Sequence, residues 1–236
     1  TTSVQQEIIP RMSVEVQYVH KDTSDLIGWE ILDGVYEMVP YTDYFGNDYE
    51  LYNFIVDPIR RKGNDPGNFP GAGDYEQKYD GVVFSFSKRF RDFWGLNASY
   101  TWSKSEGRIP RMQAQSQFNP FYGSKEMWDP NNHINSYGRL QGDRPHMFRT
   151  QAVFLLPGDI NFSASLNLES GRATTRQTRI RGLNQGTEEL TLQPGGVNRF
   201  PNVEILDLTV GKRIRFGEGN TALRLDATIY NVFNAD

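Results

Sequence analysis

The chain has 236 residues, a net charge of −4 and a sequence pI of about 5.5. It therefore lacks the excess of basic residues that is typical of a nucleic-acid-binding protein. Cysteine is absent, which excludes disulfide bonds, thiolate metal sites and a cysteine nucleophile. Aromatic residues are abundant, yet the mean hydropathy is −0.61 and no stretch approaches the roughly 20 apolar residues of a membrane helix. A membrane-crossing β-strand needs only about 9–11 residues, every second one apolar, so the composition is compatible with a β-barrel.

The first predicted pair of strands lies at the N-terminus. Residues 4–9 read as the end of one strand, Pro10-Arg11 as a turn and residues 12–18 as the next strand. Apolar and polar side chains alternate along residues 12–18, which is the period of a strand with two unlike faces. The apolar face is formed by Met12, Val14, Val16 and Tyr18.

Three further pairs of strands with the same alternation follow in the chain. Their predicted bounds are residues 82–90 and 94–103, 148–156 and 160–169, and 206–216 and 223–233. Their apolar faces include Val82, Phe84, Phe86 and Phe90; Leu96, Ala98, Tyr100 and Trp102; Ile160, Phe162, Ala164, Leu166 and Leu168; Leu206, Leu208, Val210, Ile214 and Phe216; and Leu223, Leu225, Ala227, Ile229 and Phe233.

The connections between the predicted strands alternate in length. Short turns lie near residues 10, 92, 158 and 218, and long polar stretches lie at about 23–73, 105–144 and 171–200. Short connections at one end and long loops at the other are typical of outer-membrane barrels. Ser, Asn, Glu and Arg in strand centres suit a water-filled lumen, and aromatic residues near strand ends match the two membrane interfaces. The predicted fold class is therefore all-β, an antiparallel up-and-down transmembrane β-barrel with long extracellular loops.

Five short motifs follow one another in the order found in a known family. They are Tyr79-Asp80-Gly81-Val82 leading into residues 84–90, residues 98–105, Asp143-Arg144-Pro145-His146, Glu169-Ser170-Gly171-Arg172 and Asn231-Val232-Phe233-Asn234. Their order and spacing over nearly the whole chain resemble the C-terminal barrel region of TonB-dependent receptors. The resemblance is greatest to the Oar-like branch, which has a carboxypeptidase-regulatory-like N-terminal domain.

This resemblance implies a 22-strand barrel in the Gram-negative cell outer membrane, closed by an N-terminal plug. Residues 1–236 would be a C-terminal segment of it, with seven to eight strands and without the plug, the TonB box or the last strand. It also implies a receptor and transporter that binds ligand with its loops and takes it up with external energy. The implied partners are outer-membrane lipid, an extracellular ligand, and a TonB-type energy-coupling protein that acts through the missing N-terminal part.

Aromatic side chains in the long loops are the predicted ligand-binding residues. They are Trp29, Tyr41, Tyr44 and Phe45 in the first loop and Phe118, Phe121, Tyr122 and Trp128 in the second. Exposed aromatic rings beside amides and carboxylates suit the capture of a peptide, a glycan or a chelate, among which no motif chooses. The alternative is that these rings pack the loops together over the barrel mouth.

No residue constellation points to an enzyme, a cofactor or a metal. The three histidines lack the spacing of zinc ligands, and the nucleophile-elbow, phosphate-loop and dinucleotide motifs are absent. Asp143-Arg144-Pro145 is interpreted as a loop base tied by charged groups, where proline begins a strand. Calcium is an alternative for the acidic and amide side chains of the first loop. These side chains are Asp43, Asn47, Asp48, Asp57, Asn64 and Asp65.

Three other functional readings remain open from the sequence. The chain is also compatible with a surface adhesion or secretion-linked barrel without import, with a small self-closed eight-strand barrel, and with a soluble β-rich binding module. The soluble reading predicts that the apolar faces of the strands are covered by other parts of the protein.

Overall fold

The computed structural model describes residues 1–26, 28–57, 59–63, 75–109, 129–216 and 221–233. This part of the chain forms strands and one turn of 3-10 helix, Pro130–His133. None of its helices is long and apolar enough to cross a membrane. The strands are β1 Thr2–Ile9, β2 Met12–Thr23, β3 Gly28–Leu32, β4 Val35–Thr42, β5 Asp48–Val56, β6 Ile59–Gly63, β7 Glu76–Arg91, β8 Trp94–Arg108, β9 Gly138–Arg139, β10 His146–Leu156, β11 Ile160–Glu169, β12 Ala173–Thr174, β13 Gln177–Leu183, β14 Gly186–Thr191, β15 Asn198–Arg199, β16 Val203–Arg215 and β17 Ala222–Ile229.

Eight long strands form one antiparallel sheet in the order β1-β2-β7-β8-β10-β11-β16-β17, with β9 paired to the end of β8. Each of the eight lies beside the next of them along the chain, so the sheet is an up-and-down meander. Within the described residues, β1 and β17 each have a partner on one side, so the sheet does not close on itself. This arrangement confirms the predicted all-β antiparallel class and fits a partial barrel.

The strand register places apolar and polar residues in separate rows across the sheet. One row joins Val16, Phe84, Tyr100, Phe148 and Leu168 as direct partners in successive strands. The adjacent row, on the opposite face, joins Glu15, Ser85, Ser99, Arg149 and Asn167. Because side chains alternate between the faces of a strand, the two rows give the sheet one apolar and one polar face.

Tight turns join the paired strands at one end of the sheet. Between β7 and β8, Asp92 and Phe93 both have positive φ, 54° and 73°, as a type I′ hairpin turn requires. The turn between β1 and β2 has Pro10 followed by Arg11 at φ 74°, which is the pattern of a type II turn. The third predicted turn, at residues 157–159, is also present, and the fourth, at residues 217–220, lies outside the described residues.

Several strands are longer than the sequence pattern predicts. β2 continues to Thr23, β7 begins at Glu76 and β8 extends to Arg108. The added segments are rich in charged residues that pair across strands or along one strand, as in His20–Asp80, Lys78–Glu76 and Lys104–Glu106. Apolar and polar residues do not alternate in these segments. The strands therefore continue beyond the apolar band, and the sequence pattern does not predict this part of them.

The long loops contain strands of their own. In the first loop β4 and β5 form a hairpin, and β3 pairs with β6; in the third loop β13 and β14 form a hairpin below which β12 pairs with β15. The most buried apolar side chains of the described chain also belong to loop segments and to their junctions with the long strands. They are Leu51, Phe54, Tyr75, Leu140, Ala173, Ile180 and Leu190. The compact core of this molecule therefore lies in the loops, at the end of the sheet opposite the tight turns.

Candidate functional site

The apolar face of the sheet is uncovered. Phe84 is 48% exposed, Trp102 58%, Val210 48% and Ile229 62%, although all four lie in long strands. A soluble β-sandwich would cover this face with a second layer. Within the described chain, no second layer packs over it. A continuous apolar surface on one side of a sheet suits contact with lipid.

The polar face carries a groove of about 370 Å³. Its polar lining comes from four neighbouring strands and includes Ser85, Asn97, Ser99, Arg149, Gln151 and Asn167. Arg149 is held by Glu169, with 2.7 Å between Nη2 and Oε1, and its Nε donates to Asn167 Oδ1 at 3.3 Å. Hydroxyls, amides and one neutralised arginine therefore form the wall that faces the lumen of a barrel.

Asp143 fastens the base of the second and third loops to the sheet. Its buried carboxylate accepts from Ser105 N at 2.7 Å and from Arg199 Nη2 at 2.5 Å, and Arg139 Nη1 lies 3.7 Å away. The other nitrogen of the guanidinium, Arg199 Nη1, donates to Gly171 O at 3.2 Å. The interpretation of Asp143 as a loop tie is confirmed. Its main partner comes from the third loop, 56 residues further along the chain.

Tyr44 and Phe45 form an exposed aromatic pair at the tip of the first loop. Their ring centroids are 5.6 Å apart in edge-to-face geometry, and Tyr44 is 96% exposed. Asp43 organises this turn, since its carboxylate accepts from Phe45 N at 2.8 Å and from Asn47 N at 2.9 Å. Desolvation alone would raise the pKa of Asp43, but the hydrogen bonds from Asn47, Phe45 and Tyr49 prevail and lower it. The turn therefore presents the two rings on a fixed backbone.

The other predicted ligand-binding residues differ in their placement. Tyr41 packs against the loop core with its ring centroid 6.4 Å from that of Tyr49, so it contributes to loop packing. Trp29 lies in β3, where the structure describes the backbone alone. The remaining four candidates lie outside the described residues. They are Phe118, Phe121, Tyr122 and Trp128.

Two arginines of the third loop, neither of which the sequence analysis proposed as a binding residue, lie over exposed aromatic rings. Arg176 Cζ is 5.1 Å from the ring centroid of Phe45, and Arg172 Cζ is 5.8 Å from that of Phe200. The contact with Phe45 joins residues more than 130 positions apart, which no local pattern reveals. The signal in the sequence is compositional: residues 171–200 hold five arginines and two glutamates, a net charge of +3 in a chain of net −4.

Side-chain amides join the three long loops. Asn131 accepts from Tyr52 N and donates to Tyr52 O, both at 2.8 Å, in the manner of a neighbouring strand. Gln185 donates to Tyr52 O at 2.7 Å and accepts from Phe54 N at 3.1 Å. The backbone of β5 is thus bonded by the second and third loops. With the apolar cluster of Leu51, Ile180 and Leu190, these bonds form one interloop core.

Asp129 is a buried carboxyl group within this interloop core. It accepts from Asn131 N at 2.8 Å and from Gln185 Nε2 at 3.1 Å. Burial, together with the nearby carboxylate of the equally buried Glu188, raises the pKa of Asp129 to about 7 despite these hydrogen bonds. The ionisation of Asp129 is therefore coupled to the closure of the loops.

Metal ligands do not cluster in the part of the chain that the structure describes. No group of three or more histidine, aspartate or glutamate side chains has metal-binding geometry there. Of the calcium candidates, Asp43 and Asn47 hydrogen-bond to each other, and Asn64 and Asp65 lie outside the described residues. His146 accepts or donates a hydrogen bond with Tyr100 at 2.7 Å, so this histidine is part of the strand surface.

The fold and its two faces define the class of this protein: the wall of a β-barrel that spans the outer membrane. The family model described as outer membrane beta barrel domain matches residues 1–171, and the chain belongs to this family. Among solved structures, the chain is similar to the outer membrane transporter YddB from Escherichia coli, with a TM-score of 0.52 and 13% identity. The similarity covers 99% of this chain and 28% of that chain, and at this identity it concerns the fold. No curated protein matches the sequence.

Proposed function

We propose that this chain is the wall and outer-loop segment of a TonB-dependent receptor that takes up an extracellular ligand. The observation that carries the proposal is the polar face, which runs along the strands from the tight turns to the interloop core. Outer-membrane barrels have short periplasmic turns and long extracellular loops, so the interloop core faces the outside. A ligand held there would enter a lumen lined by hydroxyls and amides.

In this proposal the barrel has 22 strands, and a plug domain N-terminal to this segment receives energy from a TonB-type protein. The structural similarity to an outer membrane transporter and the order of the family motifs support it. The segment itself binds and guides ligand and has no catalytic role. In this proposal the receptor is of the Oar-like branch, which the order of the five motifs resembles.

The test is uptake by whole cells that carry the full-length protein. Radiolabelled ferric chelates, cobalamin, oligopeptides and oligosaccharides would be offered to cells with and without the energy-coupling protein. We expect at least one probe to accumulate in the first strain and only to bind at the surface of the second. Equal accumulation in both strains would contradict energy coupling. Surface attachment without any uptake would instead support the adhesion barrel.

The loop tip is tested by a paired substitution. Tyr44→Ala with Phe45→Ala removes two exposed rings, and we expect the transported probe to bind about tenfold more weakly, as for the loss of a central aromatic contact. Phe93→Ala is the matched control because Phe93 is 68% exposed but lies in a tight turn at the opposite end. The two variants should differ in surface binding measured on cells; if they do not, the loop tip is not a binding element.

A further inference from the structure

The third loop presents a pair of guanidinium groups on aromatic supports. Arg172 lies over Phe200 and Arg176 lies over Phe45, and both rings remain about half exposed, at 49% and 58%. Stacking leaves the donor edge of a guanidinium free while it restrains the side chain. Both arginines are themselves exposed. They are therefore ordered before any ligand arrives, which lowers the entropic cost of binding.

The charges of these two arginines are not used within the described structure. Arg199 is neutralised by Asp143, and Arg179 lies 3.7 Å from Glu189. Arg172 and Arg176 form no ion pair with any residue in the described ranges. The first loop is acidic, but apart from Arg176 over Phe45 the contacts described between it and the third loop are made by amides, tyrosine and apolar side chains. In the described structure, the acidic side chains of the first loop therefore do not pair with the two arginines.

The backbone fixes the spacing of the pair. Phe200 N donates to Arg172 O at 3.0 Å, and Leu192 N donates to Arg176 O at 2.8 Å, so both arginines lie on hydrogen-bonded stretches. Four residues of extended chain place their Cα atoms at most about 14 Å apart. The two guanidinium groups therefore suit two anionic groups of one extended ligand.

We propose that Arg172 and Arg176, with Tyr44, Phe45 and Phe200, bind an acidic polysaccharide whose sugars carry carboxylates. A guanidinium fork matches a carboxylate in bidentate geometry. The C–H face of a sugar ring is apolar and flat, so it packs on an exposed aromatic ring and removes apolar surface from water. A polyuronate offers both groups on each unit. The inference rests on the proposed function, since it names the ligand class of the same loops.

The experiment uses the full-length protein purified in detergent, with hexagalacturonate as the probe. Binding would be measured by calorimetry for the wild type, for Arg172→Gln with Arg176→Gln, and for a control with Arg179→Gln and Arg181→Gln. The control also loses two positive charges from the third loop, but it retains Arg172 and Arg176. We expect affinity to fall about tenfold for each arginine removed in the first variant and to change little in the control. Binding by the wild type should weaken as salt rises.

Three results would overturn the site. The first is an equal loss of affinity for hexagalacturonate in the two double variants. The second is that the methyl-esterified hexamer binds the wild type as tightly as the free acid. The third is that polyglutamate binds as tightly as the uronate. Hydrogen exchange of residues 171–200 would be recorded for both variants, and the comparison is made between variants whose loop retains the protection of the wild type. Energy-coupled uptake of another probe with no hexagalacturonate binding would refute this site and leave transport intact. Binding without energy-coupled uptake would refute transport and retain the site.

Discussion

At the scale of single residues, Asp129 is a buried carboxyl group whose ionisation reports on the closure of the loops. Its folded pKa of about 7 lies above the ordinary aspartate value of 3.8, because it is buried beside Glu188. As pH rises above about 4, the open form loses its proton first, whereas the closed form keeps it until about 7. Closure of the loops is thus most favourable below the ordinary value and weakens as pH rises toward 7.

The corresponding prediction concerns Asp129→Asn, which replaces the titrating carboxyl group by an amide. We expect the pH dependence of loop closure to flatten, at the cost of roughly 1 kcal/mol from one weakened hydrogen bond. Hydrogen exchange of residues 184–190 between about pH 4.5 and pH 7.5, corrected for intrinsic rates, measures it. Asp48→Asn is the control because Asp48 is exposed. A wild-type protein whose loop protection does not fall with pH would contradict the prediction.

Asp143 holds the base of the third loop through its hydrogen bonds and its ion pair with Arg199. Asp143→Ala leaves Ser105 N and the Arg199 guanidinium without their buried acceptor. Because a hydrogen bond to a charged group contributes about 1.5–3 kcal/mol, we expect the third loop to open more readily by this order of free energy. Limited trypsin digestion at the arginines of residues 171–200 should become faster, while the barrel band on a gel remains intact. Unchanged cleavage would show that the loop is held elsewhere.

At the scale of elements, the third loop depends on close backbone contact at Gly171. A Cβ atom there would lie 1.6 Å from Phe200 O and 2.5 Å from Phe200 C, both fixed backbone atoms. Gly171→Ala must therefore displace the segment that carries Phe200, and we expect the stacking of Arg172 on that ring to be lost. Gly182→Ala meets no atom within 4 Å and is the matched control for space, although Gly182 has positive φ. Cysteines placed at 172 and 200 replace both side chains of this contact, so crosslinking between them reports the displacement of the backbone. It should slow with Gly171→Ala and stay fast with Gly182→Ala.

The two faces of β7 make opposite predictions for the same substitution. Phe84→Arg places a charge on the apolar face. An arginine on the lipid-facing side near the bilayer midplane destabilises a barrel by about 2–4 kcal/mol. Ser85→Arg places it on the polar face of the same strand, beside the groove. We expect the first variant to reduce the heat-resistant folded band of the full-length protein after outer-membrane extraction, and the second to leave it near wild type. If the folded band is equally strong for both variants, the assignment of the apolar face to lipid is contradicted.

The strands and turns of the sheet could be predicted because their signals are local. The alternation along residues 94–103 and the Asp92-Phe93 connection need no distant residue. The order within the loops could not be predicted, since Asn184 and Asn53, 131 positions apart, must meet before their bond exists. Arg172 and Arg176 could not be singled out for the same reason, as their aromatic supports come from other segments. Tyr44 and Phe45 were identified by residue type, and their role in binding stays a prediction.

At the scale of the whole molecule, β1 and β17 are the two edges of the sheet, and within the described residues each has a partner on one side. In hydrocarbon, each unpaired backbone N–H and C=O costs several kcal/mol, so only closed barrels span the membrane with strands. In lipid these edges must therefore be paired, either with each other or with further strands of a larger barrel. The 22-strand architecture of the proposed function would supply such strands.

The interloop core also determines the order in which this protein matures. The two strands of a hairpin such as β7 and β8 meet through a turn of a few residues, whereas the bond from Gln185 to Tyr52 spans 133 positions. Contacts between distant segments form slowly because chain entropy must be lost before they contribute. The loops thus close only after the wall has brought their bases together. Freshly inserted barrels would pass through a stage with a complete wall and an open mouth, in which the loop aromatics are accessible to proteases and chaperones.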